Sequence, residues 1–164
     1  MRIAKIEHNS VSNGPGIRTV IWCQGCSLHC YNCHNQSTWD PLGGREMTQE
    51  DIREIYKELE KPWVQGVTLS GGHPLESYHI YEVTELAKNL KKRFPHKDIW
   101  LYTGRTWDFV CNLPIVNYVD VVVDGEYRDE ERDITLPYCG SRNQRVIDVR
   151  KTFKDGQLTL YKGE

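Results

Sequence analysis

The sequence predicts one α/β domain over residues 1–164: an open, partial (β/α) barrel with a mostly parallel sheet and flanking helices. Three observations lead there. Short β-branched or apolar runs alternate with segments of helical periodicity, the pattern of βαβ units with right-handed crossovers. Four of the runs end in small or reactive residues: Cys23 before a cysteine-rich loop, Ser70 before Gly71-Gly72, Thr103 before Gly104, and Val123 before Asp124-Gly125. In a parallel sheet such ends share one edge, where α/β proteins bind ligands. Finally, the 164 residues fall short of the ~250 of a closed eight-stranded barrel.

Each element has its own signal. Ile17 to Cys23 is apolar and β-branched, and follows the turn Asn13-Gly14-Pro15-Gly16. Thr48 with Asp51 forms an acidic variant of a capping box and opens a helix to about Glu60, stopped by Lys61-Pro62. Val67-Thr68-Leu69 is a short buried strand within Gly66 to Ser70, broken by Gly71-Gly72. A helix from about Glu76 to Phe94 turns Ile80, Val83, Leu86, Ala87 and Leu90 inward. Pro74 is placed to start it, since the missing N–H costs nothing there. Asp98 to Thr103 and Tyr118 to Val123 read as strands, with a short helix over Thr106 to Asn112 between them. Glu126 to Asp133 reads as a charged loop, and Val146 to Val149 and Leu158 to Tyr161 as terminal strands.

Composition narrows the function classes. The 21 basic and 23 acidic side chains leave a formal net charge of -2, without the basic excess of a nucleic-acid binder. No apolar run approaches the ~18 to 20 residues that span a bilayer. Met1 to Ser10 lacks an apolar signal region. Five Trp, nine Tyr and three Phe argue against disorder. These features predict a soluble, cytoplasmic protein that engages neither nucleic acid nor membrane.

Six cysteines stand at 23, 26, 30, 33, 111 and 139. Four crowd into one loop, which suits a metal or cluster better than disulfides between separated partners. Cys111 and Cys139 stand alone among apolar neighbours and read as small buried hydrophobes. Two ligand sets compete in the loop. Cys23, Cys26, Cys30 and Cys33 together would hold a structural zinc, but only Ser27-Leu28-His29 separates the two pairs, a tight gap for a tetrahedron. Cys26-x3-Cys30-x2-Cys33 leaves Cys23 on the face it shares with Ile17, Thr19 and Ile21. Three thiolates on a cubane iron–sulfur cluster would leave one iron open, which implies chemistry rather than scaffolding. His29 and His34 flank the loop as further ligand candidates.

Cys26-x3-Cys30-x2-Cys33, with Ser70-Gly71-Gly72-His73-Pro74-Leu75 after a later strand, resembles the radical S-adenosylmethionine superfamily. Asn13 to Arg18, Cys33 to Trp39, Lys97 to Gly104, Val123 to Gly125 and Gly140 to Gln144 are similar to the activating proteins of anaerobic ribonucleoside-triphosphate reductases. The resemblance runs over roughly residues 9 to 147. It implies a partial barrel of the radical SAM type, with a [4Fe-4S] cluster on Cys26, Cys30 and Cys33 and S-adenosyl-L-methionine chelated at the open iron. One electron from a flavodoxin- or ferredoxin-type donor would cleave that cofactor to a 5′-deoxyadenosyl radical. The radical would take a hydrogen atom from a glycine of the reductase's large glycyl radical subunit.

By the same resemblance Asn32, Cys33 and His34 meet the nucleoside, largely through backbone. Gly71 and Gly72 offer backbone groups to the methionyl ammonium. His73 departs from the family, which carries an acid there. Arg18 is a candidate for contact with the partner or its glycine loop; Arg142 and Arg145, with Asn143 and Gln144, are candidates to bind a carboxylate or dock the reductase, with a solvated surface as the alternative. Three other readings are an activator of a different glycyl radical enzyme such as pyruvate formate-lyase, a radical enzyme on a small molecule (carboxy-deazaguanine synthase-like), and a zinc-binding docking module.

Overall fold

The computed structural model describes residues 1–163, so Glu164, the last residue of the expected domain, lies outside the described residues. Among the described residues seven strands form one sheet: β1 (Arg2–Ser10), β2 (Ile17–Cys23), β3 (Arg45–Glu46), β4 (Val64–Gly71), β5 (Asp98–Tyr102), β6 (Val121–Asp124) and β7 (Arg145–Asp148). Their spatial order is β3-β1-β2-β4-β5-β6-β7, and the outer strands β3 and β7 do not pair with each other. Helices α1 (Gln49–Leu59), α2 (Ile80–Arg93) and α3 (Trp107–Val110) lie in the crossovers, and α4 (Val149–Asp155) follows β7. No helix among the described residues is long and apolar enough to cross a membrane.

The sheet is mixed rather than mostly parallel. β2, β4, β5 and β6 run parallel, whereas β1 on β2, β3 on β1 and β7 on β6 are antiparallel. Residues 11–16 are too few for a crossover, so β1 and β2 must be antiparallel. The sequence shows no clear alternation over β1 because register shifts between Ile3 and Lys5, and again between Glu7 and Ser10, break its period of two.

Other boundaries move for local reasons. α2 begins at Ile80, not near Glu76, because His73, Glu76 and His79 are buried in the turns before it; Pro74 therefore does not start the helix. Pro114–Asn117 takes a 3-10 turn, which shortens the expected strand before β6. Val149 starts α4, with the Asp148 carboxylate accepting the Lys151 N–H. The expected strand at Leu158 to Tyr161 reduces to a single bridge between Leu160 and Ile147.

Alternate strand positions build the core. Ile21, Cys23, Val67, Leu69, Ile99, Leu101 and Val122 meet Ile55, Leu59, Val83 and Leu90 of the helices. The other face carries Trp100, Val121 and Val123, packed by Tyr102, Tyr138, Cys139 and Val146. Cys111 and Cys139 are half-buried against these two clusters.

Arg18 is not a partner contact. Its side chain is 0% exposed, and its guanidinium donates to Thr68 Oγ1 (2.9 Å), Val67 O (3.0 Å) and Pro15 O (3.1 Å), pairs with Asp98, and lies over the Trp100 ring. A buried charge persists only when satisfied in this way. Here it pins the Asn13–Gly16 turn across the sheet, assisted by the Thr68 hydroxyl donating to Asn13 O at 2.6 Å. Arg145 forks onto Asp124 (3.1 and 2.6 Å) across the β6–β7 pair; Arg142 is exposed.

The capping box of α1 forms as the sequence predicts. Asp51 accepts from Thr48 N (2.7 Å) and from both arms of the Arg45 guanidinium (2.7 Å each), and Asp51 N donates to Thr48 Oγ1 (3.2 Å). The Arg45 contact, then the Thr48 bonds, hold the Asp51 carboxyl well below the usual carboxylate range against the opposing effect of burial. A depressed carboxyl stabilises the fold above its unfolded value of ~3.9, and that contribution is lost as pH falls through the folded value. Asp51→Asn is therefore expected to cost about 1–2 kcal/mol at pH 7. In urea titrations the gap to the parent protein should stay constant from pH 7 to 5 and narrow below about pH 4; a gap unaffected by acid would contradict this.

Candidate active site at the strand ends

β2 delivers the cysteine loop. Because its side chains alternate, Cys23 points into the apolar core, 0% exposed, and burial pushes its thiol up to about 12. The four-cysteine zinc set thereby loses a member, and among the described residues no three His, Cys, Asp or Glu side chains converge as ligands of a single ion. Cys26, Cys30 and Cys33 instead line one hollow of about 150 Å³ with Ser70, Gly71, Gly72, Thr103 and Gly104. The ends of β2, β4, β5 and β6 thus meet at one site, as expected.

The chain tightens the loop with backbone bonds. Gly25 N donates to Thr38 O (2.7 Å) and Cys26 N to Trp39 O (3.1 Å). The Gln24 amide donates to Asp40 O (2.8 Å). His29 (φ 48°) and Asn32 (φ 54°) take left-handed conformations that turn the loop between its thiols. Burial raises the Cys26 thiol, with smaller contributions from Glu76 and Cys33. Burial and then the Glu126 carboxylate, 3.7 Å from its sulfur, push Cys30 up to about 11. Neutral thiols at Cys26 and Cys30 are the expected state of the protein alone; a cationic centre would deprotonate them and release protons.

β4 brings the glycine turn against this loop. Gly71 has φ +110°, and a Cβ there would lie 2.4 Å from Cys23 N; at Gly72 it would lie 2.4 Å from Gly25 O and 2.8 Å from Thr38 O. Gly72 N donates to Cys23 O and His73 N to Gly25 O, both at 2.8 Å. The two glycines are thus required first by the protein's own cysteine loop. They also line the hollow, leaving backbone there for a ligand.

The remaining expectations divide. The Asn32 side chain is exposed and donates to Asp129 (3.0 Å), and His34 leans on the Tyr127 ring at 6.0 Å; neither lines the hollow. His29 stacks on Trp39 at 4.5 Å. His73 and Gly125 also line it, and Leu28, Asn35, Trp39, Tyr102, Tyr127 and Gln144 complete the lining. Apart from Gln144, sequence reasoning gave these last six no role at the site, since nothing local marks which aromatic or amide will face a hollow built from four strand ends. A larger cleft of about 570 Å³ lies at the opposite ends of the strands. Its Lys91 and Arg150 are paired with Asp120 (2.6 and 2.5 Å), and Lys97 donates to backbone carbonyls. It holds no thiol, so size does not mark the site.

The residues present suit a cluster of the three-thiolate kind. Three thiols face one hollow, the fourth loop cysteine is turned away, and the neighbouring backbone carries no side chains at Gly71 and Gly72. Gly72→Ala should lower stability by roughly 3 kcal/mol or more, since backbone atoms block the added methyl. Gly156→Ala, with φ +69° and nothing within 4 Å, should cost only about 1 kcal/mol. Denaturation of the two variants checks this order, and equal costs would show that the turn is not packed as described.

The comparisons with known proteins accord with this geometry. The model of a 4Fe-4S single cluster domain matches residues 12–147. The anaerobic ribonucleoside-triphosphate reductase-activating protein of Enterobacteria phage T4 is 40% identical over 134 residues, covering 82% of this chain and 85% of the relative. The proteins of the same name from Vibrio cholerae (38% identity, 83% of this chain, 90% of the relative) and Escherichia coli K12 (33%, 85% and 94%) are similar as well. Among solved structures, QueE from Escherichia coli aligns with a TM-score of 0.49 at 20% identity, covering 64% of this chain and 53% of that one. With a cluster-family match across the cysteine loop and relatives aligned over most of their length, this chain belongs to the family of anaerobic ribonucleoside-triphosphate reductase-activating proteins.

Proposed function

We propose that the chain is a radical S-adenosylmethionine activase that installs a glycyl radical on the large subunit of an anaerobic ribonucleoside-triphosphate reductase. The observation that supports this reading best is the division of labour in the loop: Cys26, Cys30 and Cys33 face one hollow while Cys23 is sealed in the core. A set of three would hold a [4Fe-4S] cluster with one iron free for S-adenosyl-L-methionine. When bound, that pair supplies one-electron cleavage chemistry leading to hydrogen-atom abstraction from the partner's glycine.

The protein's part is to bind, orient and shield. Gly71 and Gly72 present backbone to the methionyl end. Asn32, Cys33 and His34 would meet the nucleoside through backbone, as the family resemblance implies; of the three only Cys33 lines the hollow, and the Asn32 side chain is already engaged by Asp129. The Trp39 and Leu28 side chains give the hollow apolar walls. The unpaired sheet edges are compatible with a partial barrel acting as one unit and open to a partner's loop. The reading includes a flavodoxin- or ferredoxin-type reductant and a cytoplasmic location.

Two outcomes are expected. After anaerobic reconstitution, Cys26→Ser, Cys30→Ser and Cys33→Ser should each lose most bound iron and sulfide, while Cys23→Ser keeps them at the cost of about 1–2 kcal/mol of stability. Incubation of the intact protein with the reductase, S-adenosyl-L-methionine and a reductant should yield an organic radical EPR signal on the reductase. Replacing the acceptor glycine by alanine should abolish it. Iron lost equally from Cys23→Ser, or no radical with a cluster in place, would overturn the reading.

A further inference from the structure

The turn between β4 and α2 holds a buried polar network that the proposed function does not use. His73 is 1% exposed, Glu76 6%, Thr103 5% and His79 3%. A single oxygen of Glu76 accepts from Ser27 N (2.8 Å), Ser27 Oγ (2.8 Å) and His73 Nδ1 (3.2 Å). His73 Nε2 lies 2.8 Å from Thr103 Oγ1, which accepts from Arg105 N at 3.1 Å. His79 Nε2 donates to the His73 carbonyl at 2.8 Å.

Donor and acceptor counting settles the directions. The Glu76 carboxylate can only accept, so His73 donates from Nδ1; in a neutral ring Nε2 is then the acceptor, and it takes the one hydroxyl proton of Thr103. Burial lowers the His73 imidazole, which matches a neutral ring. Glu76 is held below its ordinary value because the Ser27 bonds and His73 together outweigh burial. His73 is among the residues lining the hollow, yet both ring nitrogens are occupied within the protein, and no lone pair or N–H is left to meet a ligand there.

The network joins three strand ends. Thr103 follows β5, His73 and Glu76 follow β4, and Ser27 lies in the loop after β2. His73 N also holds Gly25 O. The segment 73–76 thus grips the residue before Cys26 and the residue after it. We infer that His73 is a positioning residue: it orients Glu76, which fixes Ser27 and so sets Cys26 against the glycine turn, and its imidazole does not contact the bound cofactor. This rests on the cluster reading for its purpose, but the clamp itself is made entirely of this chain's own groups.

The test uses the full-length chain in two states. In the metal-free protein, amide exchange by NMR should show Ser27 exchanging about tenfold faster or more in Glu76→Ala and in His73→Ala, as expected on losing a bond to a charged group. The double variant should be no faster than Glu76→Ala. His73→Asn, whose amide N–H takes the place of Nδ1–H, should stay close to the parent. After reconstitution, His73→Asn should keep the change in the reduced cluster's EPR signal on adding S-adenosyl-L-methionine. Unaltered Ser27 exchange in Glu76→Ala would overturn the clamp. Loss of the cofactor response in His73→Asn, with cluster and Ser27 protection intact, would make the imidazole a ligand contact and overturn the inference. Should the parent protein assemble no cluster, the activase reading fails while the exchange data still decide the clamp.

Discussion

Backbone contact between two strand ends organises this molecule. β2 and β4 are parallel neighbours in a register that sets Cys23 opposite Gly71. The chain leaving β4 then lies directly on the chain leaving β2, with Gly72 N on Cys23 O and His73 N on Gly25 O. No side chain fits between them, since any Cβ at Gly71 or Gly72 would sit about 2.4 Å from backbone atoms. The cysteine loop is consequently held by the sheet itself rather than by a ligand. The same contact fixes which cysteines reach the hollow: alternation along β2 sends Cys23 into the core, while Cys26, Cys30 and Cys33 line the hollow.

Charge is managed differently at the two ends of the strands. At the far end Arg18 is buried, yet four partners and the Trp100 face satisfy it, which ties the Asn13–Gly16 turn to β4 and β5. At the near end burial, and then the carboxylates of Glu76 and Glu126, push the Cys26 and Cys30 thiols towards the neutral form. Thiols held neutral beside carboxylates are poor nucleophiles and well suited to a cationic inorganic centre, whose charge reverses that preference. The geometry and the electrostatics therefore favour the same kind of occupant.

Much of this was legible in the sequence because the relevant signals are local. Ile17–Cys23 matches its predicted bounds, the Thr48–Asp51 box caps α1, and the small residues ending β2, β4, β5 and β6 converge as parallel strands require. What stayed hidden depends on distant partners. β1 carries bulges that erase its alternation, and β3 is two residues long and exists only through its pairing with β1. Arg18 offered no local sign that Asp98, eighty residues on, would bury it. His73 is instructive in another way. Its spacing of three from Glu76 was visible, but only the fold shows that Ser27 and Thr103 complete the set.

The measurement that bears most directly on the three-thiol site is the EPR spectrum of the anaerobically reconstituted, dithionite-reduced protein, recorded with and without S-adenosyl-L-methionine. A [4Fe-4S]+ signal that changes shape when the cofactor is added is the expected result, since it requires a cluster with an open iron. Retention of one zinc with no cluster, or a cluster signal indifferent to the cofactor, would contradict it.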